Sequence, residues 1–247
     1  MAVERANTRF PLQAGKDKPM DYRRVTTLKE IQEYLGASNL VAFDFETAPL
    51  DEYRHDDKAA LDAHKAVIVG VSLSVSEGTG VYVPLRHRTG GNADSPEKIM
   101  GWLSKAVFTN SAIIKAAHNL SFEAMFLYAL GIVVQPPCYD TIAAAQMTLK
   151  NNTEFRSLGD SGLKALVPEL FDVDLPSFEA VTDGRYFDEL DPRDTETIRY
   201  ACADSDYTLR LYHLFNNWFD RYLPKHRYVV EEIESPTAVY VGLMKYN

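Results

Sequence analysis

Three pairs of residues in this chain have the types and spacing to hold a cation. Asp44 and Glu46 lie two apart in NLVAFDFET (39–47), an apolar stretch with the two-sided look of a central strand. Residues i and i+2 of a strand project to the same face, so the two carboxylates stand side by side at its end. Like charges in a half-buried position repel and lose hydration, which is costly unless a cation or a proton intervenes. Taken alone, a strand end that reaches solvent carries such a pair harmlessly. Tyr200 and Asp204, four apart in YACAD, share a helical face with the apolar stripe Tyr207, Leu211, Leu214, Phe215 and Trp218, so Asp204 points inward. Asn119 and Glu123 of HNLSFEAMF share another face, which continues into Phe126 and Leu130. A structural hydrogen-bond partner would account for Asp204, and a capping or solvated role for Glu123. Three inward-facing acidic sites in one domain are harder to explain separately. Hard oxygen ligands without a Cys or His cluster favour Mg²⁺ or Mn²⁺ over zinc. Two such ions, about 3.5–4 Å apart, can stabilise the attacking and leaving oxygens of an in-line phosphoryl transfer.

The elements that would position these groups can be read from pattern. TTLKEIQEYLGA (26–37) is a short helix capped by Thr26 or Thr27, with Leu28, Ile31 and Leu35 on one face and Gly36 at its end. AVIVGVSLSV (66–75) and GVYVPL (80–85) form an antiparallel hairpin through the SEGT turn. SPEKIMGWLSKAV (95–107) opens as a helix with Ser95 before Pro96, and AIIKAA (112–117) follows as a strand. Then come a helix over 121–130, a strand-like piece at 132–134 and a helix over 139–150. The segment 151–193 is rich in Gly and Pro, with short helices expected to flank a cleft, and 194–222 is helical. A further helix runs from about Lys225 towards the end. Residues 1–24, polar and basic, read as a loosely held arm. A hairpin followed by alternating strands and helices implies a mixed sheet in an α/β architecture.

With 247 residues, 46% hydrophobic and 25% charged, the chain can bury one sizeable core. No apolar run approaches the roughly 18 residues needed to span a bilayer, and MAVERANTRF lacks a secretory apolar stretch. A soluble protein without membrane contact is expected, in the cytoplasm of a bacterial or phage-infected cell. Cys138 and Cys202 are too few for a disulfide framework. A net charge of −9 argues against a module that coats nucleic acid with Lys and Arg. It leaves open an enzyme that grips a few terminal nucleotides through metals. Other polar groups have plainer readings. His118 packs or hydrogen-bonds beside a strand end, Asp206 falls off the helix stripe into solvent, and Arg86, His87 and Arg88 form a surface loop.

The three motifs DFET, HNLSFE and YACAD, in that order, resemble those of the DEDD exonuclease superfamily in its tyrosine-bearing branch. With DFETAPLD, CYDTIAAAQMTL, SFEAV and YACADSDYTLRLY, the chain from Asp44 to about Tyr212 resembles the proofreading domain of family A DNA polymerases. The segment 233–247 is similar to the one leading from that domain into the polymerase. The resemblance implies a ribonuclease H-like mixed five-stranded sheet flanked by helices. It divides the chain into an arm (1–24), an exonuclease domain (25–223) and a helix (224–247) directed towards a polymerase domain of the parent chain. It implies a monomer that removes nucleoside 5′-monophosphates from single-stranded or mismatched DNA 3′ termini with two divalent metal ions, Mg²⁺ or Mn²⁺. Asp44 would bridge the two ions, Glu46 and Asp204 would complete one site, and Glu123 would serve the other. Tyr200 would orient the attacking hydroxide. Thr47, Leu50, Asn119 and Phe178 fall where the family contacts the terminal sugar and bases, and Arg156 is a phosphate contact. The chain departs from the pattern at the second motif, where polymerase members generally carry Asp and this chain has Glu123. An RNA 3′-exonuclease of the ribonuclease D kind and a non-catalytic scaffold on the same fold are the competing readings.

Overall fold

In the computed structural model, residues 20–149 and 161–247 are described. They form one mixed sheet of six strands in the order β1-β4-β3-β2-β5-β6. β2 (Leu40–Pro49) runs antiparallel to β3 (Ala66–Ser74), which runs antiparallel to β4 (Thr79–Pro84). β5 (Ile114–Ala117) is parallel to β2, and β6 (Cys138–Asp140) is parallel to β5. β1 (Asp21–Arg24) pairs in parallel with β4 at the opposite edge.

The two faces of the sheet differ in bulk, and this difference positions the site. Alternation along β2 sends Val41, Phe43 and Phe45 to one side, where they meet Val71, Leu73, Val81 and Val83 in a large apolar core. That core is covered by α1 (Leu28–Leu35), α2 (Pro96–Leu103) and α3 (Leu120–Ala129). Thr27 caps α1 in a full capping box with Glu30. The other side carries Ala42, Asp44, Glu46 and Ala48 from β2, Gly70, Ser72 and Ser74 from β3, Gly80 from β4 and Ala116 from β5. These small residues admit the 28-residue α7 (Thr195–Tyr222), capped by Asp194, at close range. A β-carbon on Gly80 would lie 2.9 Å from Cys202 Cβ of that helix. Also on this side, α4 (Thr141–Leu149) and α5 (Leu163–Phe171) pack against α7, and α6 (Phe178–Thr182) precedes it. α8 (Pro224–Val229) and α9 (Ser235–Tyr246) are joined by a π turn, and α9 returns onto α3 with Gly242 against the Ser121 carbonyl. Among the described residues, no helix is long and apolar enough to cross a membrane.

The sheet differs from the five strands expected at two edges. Asp21–Arg24 is a strand and not the end of an arm, and its polar sequence DYRR hides it because only Tyr22 and Arg24 are half covered. The last strand is Cys138–Asp140 and not residues 132–134. Pro136 and Pro137 have no N–H to give a ladder, so pairing with β5 starts after them, with Lys115 N donating to the Pro137 carbonyl.

Candidate active site

The site forms where β2 ends beneath α7. Asp44 and Glu46 face α7 across from Ser72 and Gly70 of β3. Gly70 is required by its neighbour, since a β-carbon there would lie 2.1 Å from the Tyr82 hydroxyl oxygen. Tyr82 is held over this glycine by a 2.7 Å hydrogen bond with His87 Nε2. Just past the acid pair the β2–β3 register slips between Glu46 and Thr47, a bulge that bends the strand, and the Thr47 hydroxyl donates to the Ala60 carbonyl at 2.7 Å.

α7 brings Asp204 over the pair. One carboxylate oxygen from each of Asp44, Glu46 and Asp204 lies within 4.8 Å of the other two. Glu123, one turn into α3, is buried beside them and outside that trio. Burial raises all four carboxyls, those of Asp44, Glu46 and Glu123 well above the usual range. Repulsion adds to burial, from Asp204 on Asp44, from Asp44 and Asp204 on Glu46, and from Asp44 on Glu123. Glu46 Oε1 and Glu123 Oε2 are buried and meet no hydrogen-bond donor among the described residues. Four converging carboxyls with two undonated oxygens are the donor set of a hard divalent cation, so the residues present fit such an ion.

Tyr200, one turn before Asp204, is buried against Phe187 and Phe178, at ring distances of 5.8 and 6.4 Å. Burial, then the charges of Glu46, Asp204 and Asp44, push its hydroxyl far up, so it stays protonated and keeps its proton to donate. Phe178 and Leu50 remain exposed, at 39% and 37%, which leaves both side chains open to a partner. Asn119 is exposed in the left-handed conformation (φ 73°) before α3, and its Oδ1 accepts from the Ser121 hydroxyl at 2.9 Å. Arg156 lies outside the described residues.

Two polar groups were read wrongly from sequence. Asp206 is fully buried and not solvated. It accepts from Tyr22 Oη (2.6 Å), Gly78 N (2.9 Å) and Arg210, because β1 and the β3–β4 turn cover a second side of α7. The Arg86–Arg88 cluster is not a plain surface loop. His87 is buried between Tyr82 and the Leu190 carbonyl, and Arg88, with Arg54, engages Asp188. His118 has the plain role expected, bonding Thr141 Oγ1 at 2.8 Å.

Two further residues escaped the sequence reading. Asp140 accepts from the amides of Asn119 (3.2 Å), Leu120 (3.1 Å) and Ile142 (2.9 Å), anchoring the start of the helix that carries Glu123. Its position within CYDTI, immediately before a helix, was the available signal. Lys164 of α5 pairs with Asp204 and lies 4.5 Å from the Tyr200 ring centroid. Nothing in LKALVPELF separates this lysine from a solvated one.

The curated DNA polymerase I of Chloroflexus aurantiacus is similar to this chain, with 26% identity over 222 residues. The alignment covers 83% of this chain and 21% of the relative, so the chain spans about a fifth of that polymerase's length. Among solved structures, Brucella melitensis NrnC bound to pGG superposes with a TM-score of 0.61 at 20% identity, covering 92% of this chain and 95% of NrnC. Escherichia coli RNase D, an exoribonuclease, gives 0.55 at 17% identity, covering 92% of this chain and 51% of the other. These likenesses establish a ribonuclease H-like α/β fold. The sequence model of the 3′-5′ exonuclease of A-type DNA polymerases matches residues 22–219, and the chain belongs to that family.

Proposed function

We propose that this domain hydrolyses the last phosphodiester of a single-stranded DNA 3′ end and releases nucleoside 5′-monophosphates. The observation that carries the reading is the approach of Asp44, Glu46 and Asp204 to within 4.8 Å, with Glu123 buried beside them. Divalent ions held there, Mg²⁺ or Mn²⁺, would supply positive charge to the attacking and leaving oxygens. The charge of Asp44 reaches both Glu46 and Glu123, so this carboxylate would hold metal together with either of them. Tyr200, protonated and packed, donates a hydrogen bond that orients the attacking water. Thr47, Leu50, Asn119 and Phe178 would meet the terminal nucleotide, with Arg156 as a phosphate contact. A paired terminus must first unpair, so a mismatched end is removed faster than a matched one. The relatives' length supports a place as the proofreading portion of a polymerase, with 224–247 leading to the polymerase domain of the same chain.

The structural likeness to NrnC bound to pGG and to the exoribonuclease RNase D favours a second reading, an RNA 3′-exonuclease. Digestion of matched 5′-labelled DNA and RNA oligonucleotides separates the two. On DNA the expected result is a 3′→5′ ladder that needs Mg²⁺ or Mn²⁺ and stops with EDTA. Joint replacement of Asp44 and Glu46 by Ala should lower the rate by several orders of magnitude. A double variant that cleaves near the wild-type rate would remove the site assignment, and cleavage of RNA alone would shift the substrate.

A further inference from the structure

A cation already stands at the acid cluster. The Lys164 ammonium bonds Asp204 Oδ1 and lies 4.5 Å from the centroid of the Tyr200 ring. Its charge also draws down Asp44 and Glu46 against the larger effect of their burial. The backbone beneath it is fixed, because Leu163, Leu166, Val167, Leu170 and Phe171 bury the inner face of α5. The side chain is not: it keeps 34% of its exposure, whereas Asp204 keeps 12%.

We propose that Lys164 is an internal counter-ion of the site, held on Asp204 beside Tyr200, and that a metal ion entering the cluster displaces it from Asp204. The proposal rests on the metal-centre reading above. A lysine suits this exchange because its ammonium is a point charge on a flexible four-carbon stem, and solvent is within reach of that stem. It is an incomplete substitute: one ammonium brings a single positive charge to three crowded carboxyls, and Glu46 Oε1 still meets no donor. A divalent ion brings twice the charge and several coordination positions, so it wins once its concentration is sufficient. The arrangement lets the cluster fold before metal arrives and makes the apparent metal affinity weaker than the carboxyls alone would give. Lys164 is thus a positioning residue, acting through Asp204 and the ion.

Isothermal titration of the chelator-treated chain with Mn²⁺ tests this in wild type, Lys164→Gln, Lys164→Arg and Asp44→Ala/Glu46→Ala. Lys164→Gln should bind Mn²⁺ about tenfold more tightly, the equivalent of one lost charge-assisted hydrogen bond. Lys164→Arg, which keeps a cation, should stay near wild type. Without metal, Lys164→Gln should melt at a lower temperature than wild type and gain more from Mn²⁺. In ¹⁵N-lysine-labelled protein, Mg²⁺ should move the Lys164 Nζ resonance to the position of a solvated lysine. Should Lys164→Gln fail to fold, Lys164→Met and the resonance shift carry the test. Unchanged or weaker Mn²⁺ binding in the neutral variants, or an Nζ signal indifferent to Mg²⁺, would overturn the counter-ion role while leaving the metal centre intact. Wild-type affinity in the Asp44/Glu46 double variant, or no binding in any variant, would instead overturn the metal-centre reading and the proposal with it.

Discussion

Glu123 stands where the family resemblance leads one to expect Asp, and the structure limits what the difference can mean. The extra methylene of Glu over Asp extends the carboxylate by about 1.5 Å, which matters against Mg²⁺–oxygen distances of about 2.0–2.1 Å. Glu123 is 1% exposed, carries an undonated Oε2 and feels the charge of Asp44, although it stands outside the trio. A residue that merely capped its helix would not be buried with a bare oxygen. Replacing Glu123 by Ala should therefore lower kcat far more than it weakens DNA binding. Asp should retain measurable activity, with a changed preference between Mg²⁺ and Mn²⁺. Single-turnover cleavage across a metal titration reads both, and an Ala variant that cleaves at the wild-type rate would remove Glu123 from the site.

The element that completes the site is α7, and its distance from the sheet is set by side chains that are nearly absent. Gly80 sits where any β-carbon would meet Cys202 Cβ at 2.9 Å, two residues before Asp204. Gly80→Ala should push α7 outward and cost about 1–3 kcal/mol of stability, as overpacking does. It should also reduce cleavage more than Gly101→Ala, at a helix position where an added β-carbon meets nothing within 4 Å. Urea midpoints and initial rates compare the two, and equal behaviour would show that α7 tolerates the shift. Much of this arrangement was legible beforehand. The period of two placed Asp44 with Glu46, and the period of 3.6 placed Tyr200 with Asp204, because buried apolar neighbours fix which face turns inward. Asp206 was misread for the same reason: one stripe describes a helix covered on one side, and α7 is covered on two. β1 and β6 were missed because a polar edge strand and a three-residue strand after Pro136 and Pro137 carry almost no periodic signal. Lys164 was missed because its partner comes from another helix, 40 positions away in sequence.

Across the whole molecule, the acid cluster makes stability depend on pH in a direction opposite to that of ordinary salt-bridged carboxylates. Burial raises Asp44, Glu46, Glu123 and Asp204, and the charge of Lys164 offsets only part of this for Asp44, Glu46 and Asp204, so the folded chain keeps protons there that the unfolded chain has already lost. Their stabilising contribution is full below the ordinary carboxylate range and is lost as the pH rises through the elevated folded values. The net charge of −9 adds self-repulsion on the alkaline side. A divalent ion binds the ionised carboxyls and reverses the trend, since it favours the folded form most where protons have left. In EDTA, the urea midpoint should therefore fall as the pH rises above the ordinary carboxylate range, and saturating Mg²⁺ should flatten that fall. Replacing Asp44 by Asn and Glu46 by Gln should shrink both the fall and the effect of Mg²⁺, because the groups that bind the protons and the ion are the same. A metal-free midpoint that rises over this range, or a double variant with the wild-type pH dependence, would show that the cluster is ionised and compensated without metal.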